Sequence, residues 1–228
     1  MEERQIRAIF INGSPRKNKN TFQMLEKAML GAKEEGAITE MINLYEIDFK
    51  GCKSCFACKL KNAKTDGVCA VKDDLKPILE RCKEADVLVL GSPVYFSYPS
   101  GEIRSFMERL IFPNFSYEVD ENGNRIPPVK YPKQTAMIFT MNIKEQMLKD
   151  WHYDILLGTC SEQMKAGFIN CETLCACDTY QFNDYSKYAA NVFNEEAKRK
   201  QRDEHFPVDL NNAYLLGRRL VNNARSMR

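Results

Sequence analysis

Short apolar runs rich in β-branched residues alternate along this chain with segments of helical period, and this alternation restricts the fold more than any other feature. Four runs are clear: Ile6–Asn12, Val87–Leu90, Thr135–Met141 and Gly167–Thr173. A fifth, Ile38–Leu44, mixes apolar and polar residues. Between them, Phe22, Leu25, Met29 and Ala32 recur on one helical face, as do Leu75, Ile78, Leu79 and Cys82, and then Ile103, Phe106, Met107 and Leu110. The second of these helices has a marked start. With Asp74 as N-cap, Pro77 falls at the third helical position, where no N–H is needed. Further helices are expected from Lys144 to about Glu162, from Lys187 to Arg199 and from Asp209 to Ala224. Strands and helices in this order predict an α/β doubly wound sheet of five parallel strands with helices on both faces. Ligand loops after the first and third strands imply the strand order 2-1-3-4-5.

A chain of 228 residues is expected to form one domain over 1–228. Two segments interrupt the alternation. Residues 112–133 read as an inserted loop or hairpin around Asn122-Gly123, and residues 178–228 as a C-terminal tail with helices. A net charge of +2 gives no reason to expect nucleic acid or a membrane surface as partner. No apolar run approaches the length of a bilayer span, and the opening residues lack the pattern of a signal peptide, so a cytoplasmic location is expected. There, nine cysteines read as thiols or ligands rather than a disulfide framework, in keeping with their odd number.

The loop after the first run, NGSPRKNKNT, sits where a helix begins. Gly13 permits a tight turn, and Ser14, Asn18, Asn20 and Thr21 supply short polar side chains. A helix N-terminus with unpaired N–H groups and a favourable dipole attracts anions, and hydroxyls complete a phosphate cradle. The alternative is that these side chains only cap the helix. A Walker loop fails by register, since Asn18 stands where glycine is required. The dinucleotide pattern G-x-G-x-x-G fails as well, because Gly13 is the loop's single glycine.

Residues 51–69, GCKSCFACKLKNAKTDGVC, raise a separate question. Cys52, Cys55 and Cys58 have the C-x-x-C-x-x-C spacing of iron–sulfur ligands, with Cys69 ten residues further on. A [4Fe–4S] cluster on these four, a zinc site, a Cys52–Cys55 dithiol and a loop of reduced thiols all remain open, and the long gap favours the last. Cys171, Cys175 and Cys177 read as packing residues, and Cys82 and Cys160 as helical core.

With NGSPRKNKNT at 12–21, GCKSCFAC at 51–58, GSPVYFSYPSGEIRSFMER at 91–109 and DTYQFNDYSKY at 178–188, the chain resembles the NAD(P)H-dependent FMN reductases, in particular the branch close to the iron–sulfur flavoproteins. The resemblance implies a flavodoxin-like three-layer sandwich with non-covalent FMN at the C-terminal edge of the sheet. By position, Ser14, Arg16, Asn18, Asn20 and Thr21 would hold the phosphate, and Pro93, Val94, Tyr95, Phe96 and Ser97 would line the isoalloxazine. Thr140, Met141 and Asn142 would close the other side. Many relatives carry glycine where this chain has Lys19. The residues alone allow another reading, in which Tyr95 and Phe96 cover the sheet edge as core.

The implied activity is ping-pong hydride transfer from NADH or NADPH through FMN to a small acceptor such as a quinone, a flavin or another electron-poor compound. No side chain is assigned as catalytic, and His152 and His205 read as surface or packing residues. A flavodoxin-like electron carrier acting between proteins is the second reading, and a zinc-binding interaction module the third. The resemblance further implies a homodimer, with Asp178–Tyr188 placed to cover a neighbour's site.

Overall fold

Strand β1 (Arg7–Asn12) is buried along nearly its whole length, because its two faces meet two different helical layers. Ile9 and Ile11 enter one core, while Ala8 and Phe10 enter the other. The same division repeats in β3 (Val87–Tyr95), where Leu88 and Leu90 oppose Val87 and Val89, and in β5 (Gln134–Thr140), where Met137 and Phe139 oppose Ala136 and Ile138. Strands covered on both faces have no polar side to alternate with, which is why they read as continuous apolar runs.

The computed structural model describes residues 4–124, 126 and 132–228. Its main sheet joins β2 (Ile38–Asn43), β1, β3, β5 and β6 (Glu172–Ala176) in that order, every pair parallel. With β5 and β6 as the fourth and fifth strands, this is the expected 2-1-3-4-5 arrangement. Helices α2 (Leu75–Glu84), α3 (Gly101–Ile111) and α5 (Tyr153–Phe168) cover one face. Helices α1 (Asn20–Glu34) and α7 (Phe206–Ser226) cover the other. Among the described residues, no helix is long and apolar enough to cross a membrane.

Several elements differ from the sequence reading. The fifth strand is not Gly167–Thr173 but Glu172–Ala176. Gly167 and Phe168 end α5, with Phe168 buried in the core. The helix expected over Lys144–Glu162 is two, α4 (Glu145–Asp150) and α5, broken where His152 takes a left-handed φ of 59°. The helix expected from Lys187 begins only at Glu195, as α6 (Glu195–Lys200), capped by the Asn194 side chain on Ala197 N. It passes through a π turn at Gln201–His205 directly into α7. Pro207 in the first turn of α7 accounts for that widening, since it cannot donate to the preceding turn and its ring crowds the carbonyl four residues back. Asp74 does precede α2, but its carboxylate accepts from Asp48 N (3.1 Å) rather than capping the helix. Within the segment 112–133, Asp120 N donates to Asn124 O and Ile126 N to Glu118 O, forming a hairpin turn. Residues 125 and 127–131 of that segment lie outside the described residues.

Helices α1 and α7 cross so closely that two glycines are required. A Cβ on Gly217 would lie 1.9 Å from Ala28 O, and one on Gly31 would lie 2.1 Å from Tyr214 O. Both obstacles are backbone, which cannot rotate away. Gly217→Ala is therefore expected to cost about 3 kcal/mol, the upper range for overpacking. Urea unfolding checks this, with the midpoint falling while the slope stays constant.

Candidate functional site

The C-terminal ends of β1, β3 and β5 open on one edge of the sheet, and the loops there carry most of the residues singled out in the sequence. After β1, Asn12 Oδ1 accepts from Ser14 N (3.1 Å), and Ser14 Oγ accepts from Arg16 N (3.2 Å). Asn18 holds a left-handed φ of 59° just before α1. No side chain caps α1, whose N-cap position is Lys19. Ser14 bonds within the loop, Asn20 Nδ2 donates to Tyr180 O (3.1 Å), and Thr21 Oγ1 pairs with Thr140 Oγ1 (2.7 Å). The capping alternative is thus not what the structure adopts. The first-turn N–H groups of a 15-residue helix are left without side-chain partners, and an anion such as a phosphate fits such a terminus.

Gly13 serves a different purpose from the one its sequence context suggests. Its φ is not left-handed. Instead a Cβ there would lie 2.1 Å from Ile103 Cγ1, so glycine lets the start of α3 close onto the first loop. Ser100 fastens the contact. Its hydroxyl donates to Gly13 O (2.7 Å) and accepts from Ile103 N (3.4 Å), capping α3, while its own N–H donates to Ser92 Oγ (2.9 Å).

Beyond Pro93, β3 turns back into a two-residue strand, β4 (Tyr98–Pro99), which the sequence reading did not include. Phe96 and Ser97 form the tip with φ of 48° and 73°, the geometry of a tight hairpin that ordinarily carries Asn-Gly. Phe96 is 96% exposed. It is not core, and a large apolar side chain held in solvent on a strained turn suits contact with a ligand. Tyr95 is exposed at the same edge and faces both Arg16 and Glu102. Burial raises its pKa, with Arg16 opposing the effect.

The segment after β6 closes over this loop from the same chain. Arg16 Nη2 donates to Gln181 O (2.6 Å) and Lys19 Nζ to Asn183 Oδ1 (2.7 Å). Asn142 Nδ2 donates to Gln181 Oε1 (2.8 Å). Lys198 of α6, only 5% exposed, donates to Asn142 O (3.0 Å), to the Asn142 side chain and to Asp178. Lys198 and Gln181 therefore fix the loop after β5, although neither was singled out in the sequence. Met141 packs in the core, and Thr21 and Thr140 are buried against each other.

The cysteine loop folds beside α3. Its backbone is left-handed at Ser54 and Phe56, with φ of 52° and 53°. Although ten residues separate Cys58 from Cys69, all four cysteines line one cavity, together with Arg109. The cavity is only about 20 Å³, room for about one water molecule. Among the described residues, no three His, Cys, Asp or Glu side chains are gathered to ligate one ion. The donors thus suit a sulfur-ligated group in kind and number, but not in spacing.

Arg109 is 2% exposed and ties the two ends of the loop together. Its Nη1 donates to Lys50 O (3.1 Å), its Nη2 to Val71 O (3.3 Å), and both nitrogens donate to the Asp73 carboxylate. Its Nε is buried without a hydrogen-bond partner. Burial works against the guanidinium charge, but Asp73 and the Cys69 sulfur outweigh it and hold the Arg109 pKa up. Across the loop, Cys52 N donates to Glu108 Oε2 (2.9 Å). Of the remaining thiols, Cys82 and Cys171 are buried, while Cys160, Cys175 and Cys177 are half-buried. His152 and His205 are exposed.

These features define a doubly wound flavoprotein-type sheet with its ligand loops at the switch point. The sequence profile of the NADPH-dependent FMN reductases matches residues 6–124, and the chain belongs to that family. An iron–sulfur flavoprotein of Methanocaldococcus jannaschii is 38% identical over 104 residues, which cover 46% of this chain and 51% of that protein. The chain spans about half the length of the curated relatives it matches. In fold it is similar to an NAD(P)H:quinone oxidoreductase from Methanothermobacter marburgensis (TM-score 0.68, 16% identity, covering 94% of this chain and 98% of that one). It is similar also to an azoreductase from Bacillus anthracis (TM-score 0.66, 13% identity, covering 94% and 100%).

Removing the Arg109 charge leaves Asp73 and two loop carbonyls without their donor. Arg109→Met is expected to cost about 3 kcal/mol and to make residues 51–70 the first site of proteolysis. The hydrogen bond from Arg109 holds the Asp73 carboxyl below its ordinary range. Because the folded pKa is depressed, the wild-type pair contributes fully above the ordinary carboxylate range and is lost as pH falls through the folded value. The variant's deficit should therefore shrink as unfolding is followed from pH 7 towards pH 3.

Proposed function

We propose that this chain is an FMN-dependent NAD(P)H oxidoreductase that reduces a small electron-poor acceptor such as a quinone or a flavin. The observation that carries the reading is the uncapped start of α1 facing a loop of Ser14, Arg16 and Asn18, fastened through Gly13 and Ser100 to the exposed Tyr95–Ser97 tip. Bound there, FMN would supply the hydride chemistry between nicotinamide and acceptor. The chain's residues bind and position it. Arg16 and the first-turn N–H groups of α1 would take the phosphate, and the Pro93–Ser97 hairpin would take the ring. The Asn142 loop, braced by Lys198, would close the opposite side.

Purified protein should be yellow, with a flavin absorbance spectrum, and should oxidise NADH or NADPH when given a quinone. Arg16→Ala should weaken FMN about tenfold in a fluorescence-quenching titration, the effect of one charge-assisted hydrogen bond. A colourless protein that ignores added FMN would sink the proposal.

The convergence of four cysteines on one cavity supports a second reading, an electron carrier holding a sulfur-ligated cluster. Iron and sulfide analysis of anaerobically purified protein separates the two. Near four of each per chain, lost in Cys69→Ser, is the expected result for the carrier. Absence of both leaves a loop of reduced thiols.

A further inference from the structure

A second cavity, of about 690 Å³, is bounded by β4, α3, α5, the cysteine loop and the stretch that follows α3. Its size falls within the roughly 300–1,000 Å³ of small-molecule sites. None of the residues assigned to the flavin loops lines it.

Four aromatic side chains line it. Tyr98 stands on one side, with Phe112, Phe115 and Tyr117 on another. The last three brace each other, Phe112 to Tyr117 at 6.0 Å and Phe115 to Tyr117 at 5.6 Å between ring centroids, both edge-on. Lys59 lies against the Phe112 ring at 4.7 Å and donates to Phe115 O, so the wall is fixed before any ligand arrives. Met107, Ile111 and Leu156 add apolar surface.

Two charged side chains reach this space, and they differ in their engagement. The Glu108 carboxylate accepts from Cys52 N, which draws it towards the cysteine loop. The Arg104 guanidinium makes no hydrogen bond or ion pair among the described residues, although its backbone N–H donates to Ser100 O (3.1 Å). Its guanidinium carbon lies 5.4 Å from the Tyr98 ring centroid, a stacking contact that leaves its N–H groups available. Cys160, which also lines the cavity, feels the Arg104 charge. Burial raises its thiol pKa, and Arg104 partly offsets that. A free planar cation at the rim of an aromatic-walled cavity selects a flat apolar body with an anionic group at one end.

We propose that this cavity binds an aromatic acid of two or three fused rings, its rings against Tyr98, Phe112 and Tyr117 and its carboxylate or sulfonate on Arg104. Such a ligand also lies against Cys52, which lines both this cavity and the four-cysteine pocket. The site does not require FMN to be bound.

Calorimetric titration of the full chain with naphthalene-2-sulfonate, which is redox-inert, tests the proposal. Naphthalene-2-carboxamide serves as the uncharged control. The sulfonate should bind in the micromolar range and the amide at least tenfold more weakly. Arg104→Gln, a change at an exposed position, should remove that difference without lowering the melting temperature. Thr159→Trp, which fills the cavity from α5, should abolish binding of both. Saturating sulfonate should also slow iodoacetamide alkylation of Cys160 severalfold by mass spectrometry. No binding at millimolar sulfonate overturns the proposal. So does equal affinity for the two probes, as does binding that neither protects Cys160 nor responds to Thr159→Trp.

Discussion

The joint between Gly13 and Ser100 sets the relation between the first loop and the hairpin, and the rest of the candidate site depends on it. One hydroxyl caps α3 and holds the carbonyl of the first loop, while the same residue's N–H is held by Ser92 at the end of β3. All of these groups are buried, so each lost hydrogen bond would leave a desolvated polar atom. The close approach tolerates no side chain at position 13, because Ile103 already fills that volume. Two loops separated by about eighty residues of chain thereby behave as one surface, with the helix N-terminus on one side and the aromatic tip on the other.

Where the sequence was legible, a local pattern matched the tertiary environment. The runs at β1, β3 and β5 read correctly because burial on both faces leaves no other composition workable. The run at 167–173 misled for the same reason. A short apolar stretch cannot be told from the buried end of a helix by periodicity, and Gly167 and Phe168 pack as helix. The β3–β4 hairpin was hidden because Phe96-Ser97 is a poor fit to its own turn geometry. Local propensity fails there because neighbouring contacts, not the tip residues, impose the conformation. The motifs themselves were legible, whereas the roles of Arg109, Lys198 and Gln181 were not, although Arg109 and Gln181 lie inside quoted motifs. They act through contacts 36 or more residues away, or through a tail whose course no periodicity records.

The cysteine loop shows why spacing in sequence is a weak measure of spacing in space. Ten residues between Cys58 and Cys69 looked too many for a shared site, yet the cost of closing a loop rises only slowly with its length. What matters is whether something fixes its ends. Arg109 does so from α3, a helix that carries no cysteine, by holding Lys50 O on the way in and Val71 O and Asp73 on the way out.

Arg109 and Lys198 share a physical logic. The ligand edge of a doubly wound sheet cannot be closed by apolar packing alone, since its loops must keep polar groups turned towards a ligand. Each cation is nearly fully buried; Arg109 bonds two backbone carbonyls and an aspartate, and Lys198 one backbone carbonyl and an aspartate, from different pieces of chain. Buried ion pairs add little net stability compared with apolar packing, because desolvation offsets most of the attraction. Their contribution is position, since a guanidinium or ammonium with several fixed acceptors admits few alternative arrangements. On one side of the edge this holds four thiols around a single cavity, and on the other it holds α6 and the start of the tail against the loop after β5. The unpartnered Nε of Arg109 is the one place where that accounting does not close among the described side-chain atoms, in a residue that also lines the thiol cavity. A buried donor left without a partner carries a desolvation cost, and position is what this residue gains for the loop in return.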